Sequence, residues 1–282
     1  MHINIVTILK NNLFKIIFSI ILFGLLSIYF AKSFDNIYES KSLLHATESP
    51  SSNSRNISLP VSFLAQAPTS ENSLLASQML ISRDFFEILY ENHNFSAQLM
   101  AYGNYDGVKL TDNYNASMVD IKTLKWKIQK PPVELAHRTF LSKHFLFHET
   151  SERGFFKLAT RHQSPQISKQ WNELIIKEIN IYVASYKNNS SKEVLSFLLK
   201  QFELEKNSII KTSMQNLITN KYQDLALTNK SDYVFSTVSK PFVPIKKSSP
   251  NRALICFAIT FMGFIFTLFV IILREAFIQL NK

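Results

Sequence analysis

Residues 253–273, ALICFAITFMGFIFTLFVIIL, form an apolar block of 21 residues without a charge. As an α-helix the block would extend roughly 31 Å, the thickness of a bilayer's hydrocarbon core. A helix buried in a globular core would usually keep one polar face, and this block has none. It predicts a transmembrane helix over 253–273, and that prediction constrains everything else the chain can be.

A second apolar run, LFKIIFSIILFGLLSIYFA, covers 13–31. Its one charge, Lys15, lies a turn from the start, where the long stem can reach the interface. A cleaved signal peptide is the competing reading. The run is long for one, and no small-x-small cleavage site follows it, so an uncleaved anchor is expected. Two spans put both ends of the chain on one side. Lys10 and Lys15, with no acid in 1–31, favour the cytoplasm for tails 1–12 and 274–282. Such short tails leave no room for an output domain, which argues against a receptor or sensor kinase. Spans without interior charges cannot make a channel or transporter in one copy; they could only line something as an oligomer.

Residues 32–252 are therefore the working part. The whole chain carries +10, and Lys10, Lys15, Arg274, Glu275 and Lys282 are the charges outside this segment, which leaves +7 within it. The one cysteine, Cys256, falls in the second span, so the segment has no disulfide and cysteine count says nothing about compartment.

Residues 37–46 read as a strand, and 48–56 as a polar loop. Ser70 can cap a helix running through Asn92, with an apolar face from Leu74, Leu75, Met79, Phe85, Phe86 and Leu89. The Asn-, Asp- and Tyr-rich stretch 94–130 yields no ordered elements. Pro131-Pro132 opens a short helix to about Lys143. FLFHE (145–149) and FFKLATR (155–161) flank T-S-E-R-G, where Gly154 can take the left-handed position of a bulged hairpin turn. Phe156 and Leu158 should face the core, with Lys157 and Arg161 outward. Ser164 caps and Pro165 starts the longest helix, striped by Ile167, Trp171, Leu174, Ile175, Ile179, Tyr182 and Val183 and continuing through Val194, Leu198 and Phe202. A break near Asn207-Ser208, a return helix over 209–227 and a strand over 232–239 complete the pass.

The order is that of an α+β, split βαββαβ or ferredoxin-like base, with first and last strands adjacent and antiparallel. That topology brings the two spans to one edge. The 42 residues from Pro165 to Lys206 would make a helix of roughly 63 Å, about twice what short strands can cover. The excess predicts a helical hairpin, 165–227, protruding from a base made of 32–164 and 228–240. Residues 241–252 form a proline-rich juxtamembrane segment.

No phosphate loop, GxSxG, HExxH or Gly-rich dinucleotide turn is present. His144 and His148 share a face beside Glu149, but no third ligand is spaced to complete a metal site, and surface histidines are the plainer reading. Asp84 and Glu87 after Arg83 read as a solvated face with a local ion pair. The aromatic-rich Asn/Tyr stretch could stack on sugar rings, although framework packing explains it as well. Lys240, Lys246, Lys247 and Arg252 crowd the membrane surface. They anchor to anionic head groups or, more specifically, attract a lipid-linked pyrophosphate sugar.

Four segments now resemble one family. LLASQMLISRDFFEILYENHN (74–94), the run from Asn113 through KWKIQKPPVELAHRTF, RHQSPQISKQWNELIIKEIN (161–180) and SDYVFSTVSKPFVPIKKSSPNRALI (231–255) are similar, in that order, to segments of the Wzz chain-length determinants, the polysaccharide co-polymerases of the bacterial inner membrane. The second span departs from the family pattern in having the single glycine Gly263. The resemblance implies a periplasmic 32–252, homo-oligomeric rings, no catalytic, cofactor-binding or metal-binding residues, and no nucleic-acid partner. It further implies a membrane polymerase and a lipid-linked O-antigen polysaccharide as partners. The juxtamembrane motif would be Pro241, Pro244, Pro250 and Arg252. Ser82, Arg83, Asp84, Phe85, Trp171, Leu198 and Phe202 would serve either the monomer core or the subunit interface. A membrane-tethered export or assembly subunit for a capsule or exopolysaccharide is the alternative.

Overall fold

A computed structural model describes residues 12–47, 71–91 and 94–280. The chain divides into two compact units, residues 38–245 and a span unit of 1–37 with 246–282.

The central unit is built on a four-stranded antiparallel sheet, ordered β4-β5-β1-β6. Its strands are β1 (Tyr38–Ala46), β4 (Phe145–Glu149), β5 (Phe155–His162) and β6 (Phe235–Ser239). On β1, Ser40, Ser42, Leu44 and Ala46 are buried at period two while Lys41 is exposed, as a strand with one packed face requires. Phe156 and Leu158 are buried as the alternation predicts, and Lys157 is exposed. Gly154 supplies φ +77 in the β4–β5 connection, a backbone state that costs glycine little. The first and last strands pair antiparallel, with Ala46 opposite Phe235 and Leu43 opposite Ser239. The central unit therefore begins and ends at the same end of the sheet. Ile37, expected within the first strand, instead makes an isolated bridge to Ser249 in the span unit.

The packed face is covered by α6 (Pro165–Leu204). Ser164 Oγ accepts from Ile167 N, and Pro165 occupies the first turn, where its missing N–H costs nothing. Ile167, Trp171, Ile175, Ile179 and Val183 point into the core; past Ala184 only Ser191 and Leu195 are buried. The chain turns at 205–207. Asn207 Oδ1 caps α7 (Ser208–Leu227) from Ile209 N at 2.9 Å, and α7 buries no residue.

The helix expected from Ser70 to Asn92 is two helices, α2 (Glu71–Leu80) and α3 (Arg83–Glu91). Ser82 separates them: its hydroxyl donates to Met79 O at 2.7 Å and accepts from Phe85 N at 3.3 Å, ending one helix and capping the next. Ser70, Asn92 and the polar loop 48–56 lie outside the described residues. The stretch without expected order contains α4 (Phe95–Met100) and a separate hairpin, β2 (Tyr102–Asp106) with β3 (Thr111–Tyr114). The helix after Pro131-Pro132 is α5 (Val133–Thr139), followed by a π-turn over Phe140–His144 that opens into β4.

In the span unit, α1 (Leu13–Lys32) and α8 (Arg252–Leu280) are the two helices long and apolar enough to cross a membrane among the described residues. They pack on each other. Gly263 lies against the Phe23 ring, where any Cβ would collide, and the Ser19 and Thr267 hydroxyls hydrogen-bond. Close packing through one small residue and a polar pair is what helices in lipid use.

Candidate functional site

Four regions deserve a chemical reading. The first is the sheet end where the central unit begins and ends. Ser40 Oγ donates to Phe242 O at 2.8 Å, which ties the proline segment to β1, and Pro241 and Pro244 are buried. Lys240 is exposed. In the span unit, Ile37 N donates to Ser249 O at 2.9 Å and Ser248 N to Ile37 O at 2.8 Å, so the leading and trailing chains are stitched together. Pro250 follows a cis bond. Lys246 and Lys247 are exposed, and Arg252 Nη2 donates to Phe34 O at 3.4 Å while its Nε is buried without a partner.

The second region is a buried knot of rings beneath the start of α6. His162 is 2 % exposed. Its Nδ1 accepts from Ser164 N at 3.0 Å, which leaves Nε2–H to donate to Gln98 O at 3.2 Å. Trp171 Nε1 donates to Gln98 Oε1 at 2.8 Å. The rings of Trp171 and Tyr102 meet His162 edge-on at 4.8 and 4.3 Å between centroids. Burial pushes His162 down to about 3, against the Gln98 hydrogen bond, and the neighbouring His144 adds to the fall. Burial lowers His144 as well, and its Nδ1 lies 2.7 Å from Arg161 O. A neutral imidazole locked by backbone on both nitrogens is a structural strut. His148 is exposed on β4, opposite Lys157, so the two histidines that share a sequence face have different surroundings. Among the described residues no group of three His, Cys, Asp or Glu could hold a metal ion.

Two asparagines that no sequence pattern singled out hold α6 to the sheet. Asn172 donates to Ser40 O and Leu158 O at 3.1 and 3.2 Å and accepts from Ser42 Oγ at 2.8 Å. Asn180 accepts from Val234 N and Phe235 N and donates to Phe235 O, which fixes the start of β6. Both are buried, where a fully used amide stabilises and an unused one costs. Glu39 is nearly buried on the opposite sheet face between Arg161 and Lys41. Burial opposes its ionisation, but the hydrogen bonds and charges of Arg161 and Lys41 outweigh that and hold the carboxyl below its ordinary range.

The third region is the hairpin of α6 and α7. Its outer part exposes Phe197, Leu204, Ile209, Leu217 and Tyr222. Leu198 and Phe202 are half-buried, and Lys211 lies over the Phe202 ring at 4.8 Å. Trp171 and Phe85, named with them in the sequence, are core residues at 1 % exposure. Ser82 is the helix breaker described above, and Asp84 is exposed. The ion pair of Arg83 is made with Glu134 of α5, at 3.0 Å, across two elements. At the inner end of the hairpin, a groove of about 510 Å³ is lined by Asn188, Lys192, Thr228 and Lys230 among others. It has amides, hydroxyls and ammonium groups, with no nucleophile–base pair.

The fourth region is the β2–β3 turn, Gly107–Leu110, whose apolar side chains stand in solvent.

No family model matches the chain, and no curated protein matches it. Among solved structures it is similar to a full-length bacterial polysaccharide co-polymerase, at 13 % identity and TM-score 0.44, over 100 % of both chains. It is similar too to a fragment of WzzB, a polysaccharide co-polymerase from Salmonella Typhimurium, at 10 % identity and TM-score 0.32, over 76 % of this chain and 100 % of that one. Both are polysaccharide co-polymerases, the family that the four sequence segments resemble.

Proposed function

We propose that the protein is a non-enzymatic regulator of polysaccharide chain length, acting on the O-antigen of lipopolysaccharide as an oligomeric scaffold for the polymerase in the bacterial inner membrane. The base is read as ferredoxin-like, 32–252 as periplasmic, and both tails as cytoplasmic. The observation that carries the reading is one architecture: a central unit that begins and ends at one end of a sheet, joined at both ends to apolar helices, and extended by a hairpin whose outer surface has no partner among the described residues. That surface suits contact with further copies, while the buried polar groups described above are spent on holding the fold. The sequence segments similar to the Wzz family supply the polymer. In this mechanism the oligomer keeps polymerase and growing glycan together, and Lys240, Lys246, Lys247 and Arg252 attract the lipid-linked pyrophosphate.

The test is a gel of lipopolysaccharide from the host strain with and without the gene. The expected result is a ladder with a cluster of preferred lengths that becomes smooth and short-biased on deletion. An unchanged ladder with loss of another surface polymer contradicts the reading and supports an export subunit.

A further inference from the structure

The groove at the inner end of the hairpin is preformed. Asn188 and Lys192 lie one turn apart on α6 and share a face. Thr228 and Lys230 come from the chain that leaves α7. Two hydrogen bonds fix that chain: Thr228 Oγ1 donates to Leu225 O at 2.8 Å, and Lys230 N to Leu227 O at 3.1 Å. A third ties it to α6, from Asn188 Nδ2 to Thr228 Oγ1 at 3.1 Å. Asn188 Oδ1 is left buried without a hydrogen-bond partner among the described residues. Such an acceptor costs the fold free energy, and it is rare enough to ask for a reason.

Eight of the ten residues lining the groove carry polar or charged side chains, and none is acidic. The acids of adjoining turns are spent elsewhere: Glu71 pairs with Lys187 at 3.0 Å and Asp224 with Lys221 at 3.1 Å. Glu193 and Asp232, the acids nearest in sequence, do not line it. Two ammonium groups at one groove without a counter-charge repel each other and attract an anion. The volume, about 510 Å³, is that of a small-molecule site, but such sites are mostly apolar. Amides, hydroxyls and ammonium groups instead suit a ligand that hydrogen-bonds on every side. A sugar does so, because each hydroxyl both donates and accepts, and an acidic group on it answers the two cations. An apolar ligand would strand these groups, and a bare inorganic anion would leave the amides unused.

We propose that this groove binds a sugar bearing an acidic group, with the anion between Lys192 and Lys230 and a hydroxyl donating to Asn188 Oδ1 once the exposed lysine side chains swing aside. The site goes beyond the chain-length reading and does not depend on it; the lipopolysaccharide gel tests that reading separately. Full-length protein in nanodiscs of phosphatidylcholine, which carries no net charge, is titrated calorimetrically at low salt. The probes are α-1,4-linked trigalacturonate and glucose 6-phosphate, with neutral maltotriose and inorganic phosphate alongside. The expected result is saturable binding of at least one acidic sugar, with maltotriose and inorganic phosphate at least about tenfold weaker. Whichever acidic sugar binds tighter tells whether a carboxylate or a phosphate is held. Lys192 and Lys230 are exposed, so K192Q and K230Q should keep the thermal unfolding temperature while each weakens binding about tenfold. K200Q, elsewhere on α6, should leave binding unchanged. If neither acidic sugar binds, the proposal is overturned. Binding that survives K192Q and K230Q puts the sugar elsewhere and overturns it too. Inorganic phosphate binding as tightly means a bare anion site only, and maltotriose binding as tightly means idle lysines; either result removes the acidic-sugar assignment.

Discussion

The two halves of α6 make the same kind of helix and do opposite jobs. From Pro165 to Ala184 its apolar stripe is buried against the sheet, with Asn172 and Asn180 bonded to strand backbone. From Ser185 to Leu204 the apolar residues continue, yet only Ser191 and Leu195 are buried, and α7 beside them buries none. The inner half is fixed by the fold. The outer half has a surface that the fold leaves unused. An apolar stripe therefore identifies a helix but does not say whether its partner lies in the same chain.

The largest effect should come from the inner half. Trp171→Ala removes a ring packed on Phe95, Phe140 and His162 and should cost about 3–5 kcal/mol of stability, measured by denaturant unfolding. Ile209→Ala in the outer half, at 77 % exposure, should stay within about 0.5 kcal/mol. Equal losses at the two sites would erase the comparison.

Asn180→Ala comes next. It strips the acceptor from Val234 N and Phe235 N, and leaving buried donors unpaired costs about 1–3 kcal/mol. Hydrogen exchange should show β6 losing protection while α7 is unchanged.

The His162 strut gives the inner half a pH signature. Its folded pKa, about 3, lies below the ordinary 6.5, so the unfolded chain binds the extra proton between those values. Its contribution is complete above pH 6.5 and is lost as pH falls toward 3, at up to about 1.4 kcal/mol per pH unit. Unfolding free energies at pH 7, 6 and 5 should fall along this slope, above the range where Glu39 and other carboxylates titrate. His162→Asn should lower stability at pH 7 and flatten the slope; a slope unchanged in that variant would assign the effect elsewhere.

The smallest effect is expected at Arg83. Its pair with Glu134 joins two half-exposed or more exposed side chains, so Arg83→Ala should cost at most about 1 kcal/mol.

Much of the inner unit was legible in the sequence because its signals are local. Ser164-Pro165 marks a helix start through a cap and a tolerated missing N–H, and Gly154 marks a turn through its backbone freedom. The adjacency of β1 and β6 followed from the order of elements. The β2–β3 hairpin was not legible: its strands are five and four residues of Tyr, Asn, Asp, Gly and Thr without alternation, and among the described residues they pair only with each other. The split at Ser82 was missed because serine becomes a helix breaker only through the contacts its hydroxyl finds. Sequence alone leaves the candidate residues as one group, core or interface. Trp171 and Phe85 belong to the core, whereas Leu198 and Phe202 lie on the outer hairpin, a distinction set by where the sheet ends. Asn172, Asn180 and His162 carry no motif, since their partners are backbone groups distant in sequence.

In the proposed function the outer hairpin sets polymer length apart from folding. Its most direct test is the lipopolysaccharide ladder of a deletion strain complemented with Ile209→Ser/Leu217→Ser, at membrane abundance and thermal stability matched to the unaltered protein. The account predicts that the preferred length shifts or its cluster disperses. A ladder identical to that of the unaltered protein, from a folded and equally abundant variant, would contradict it.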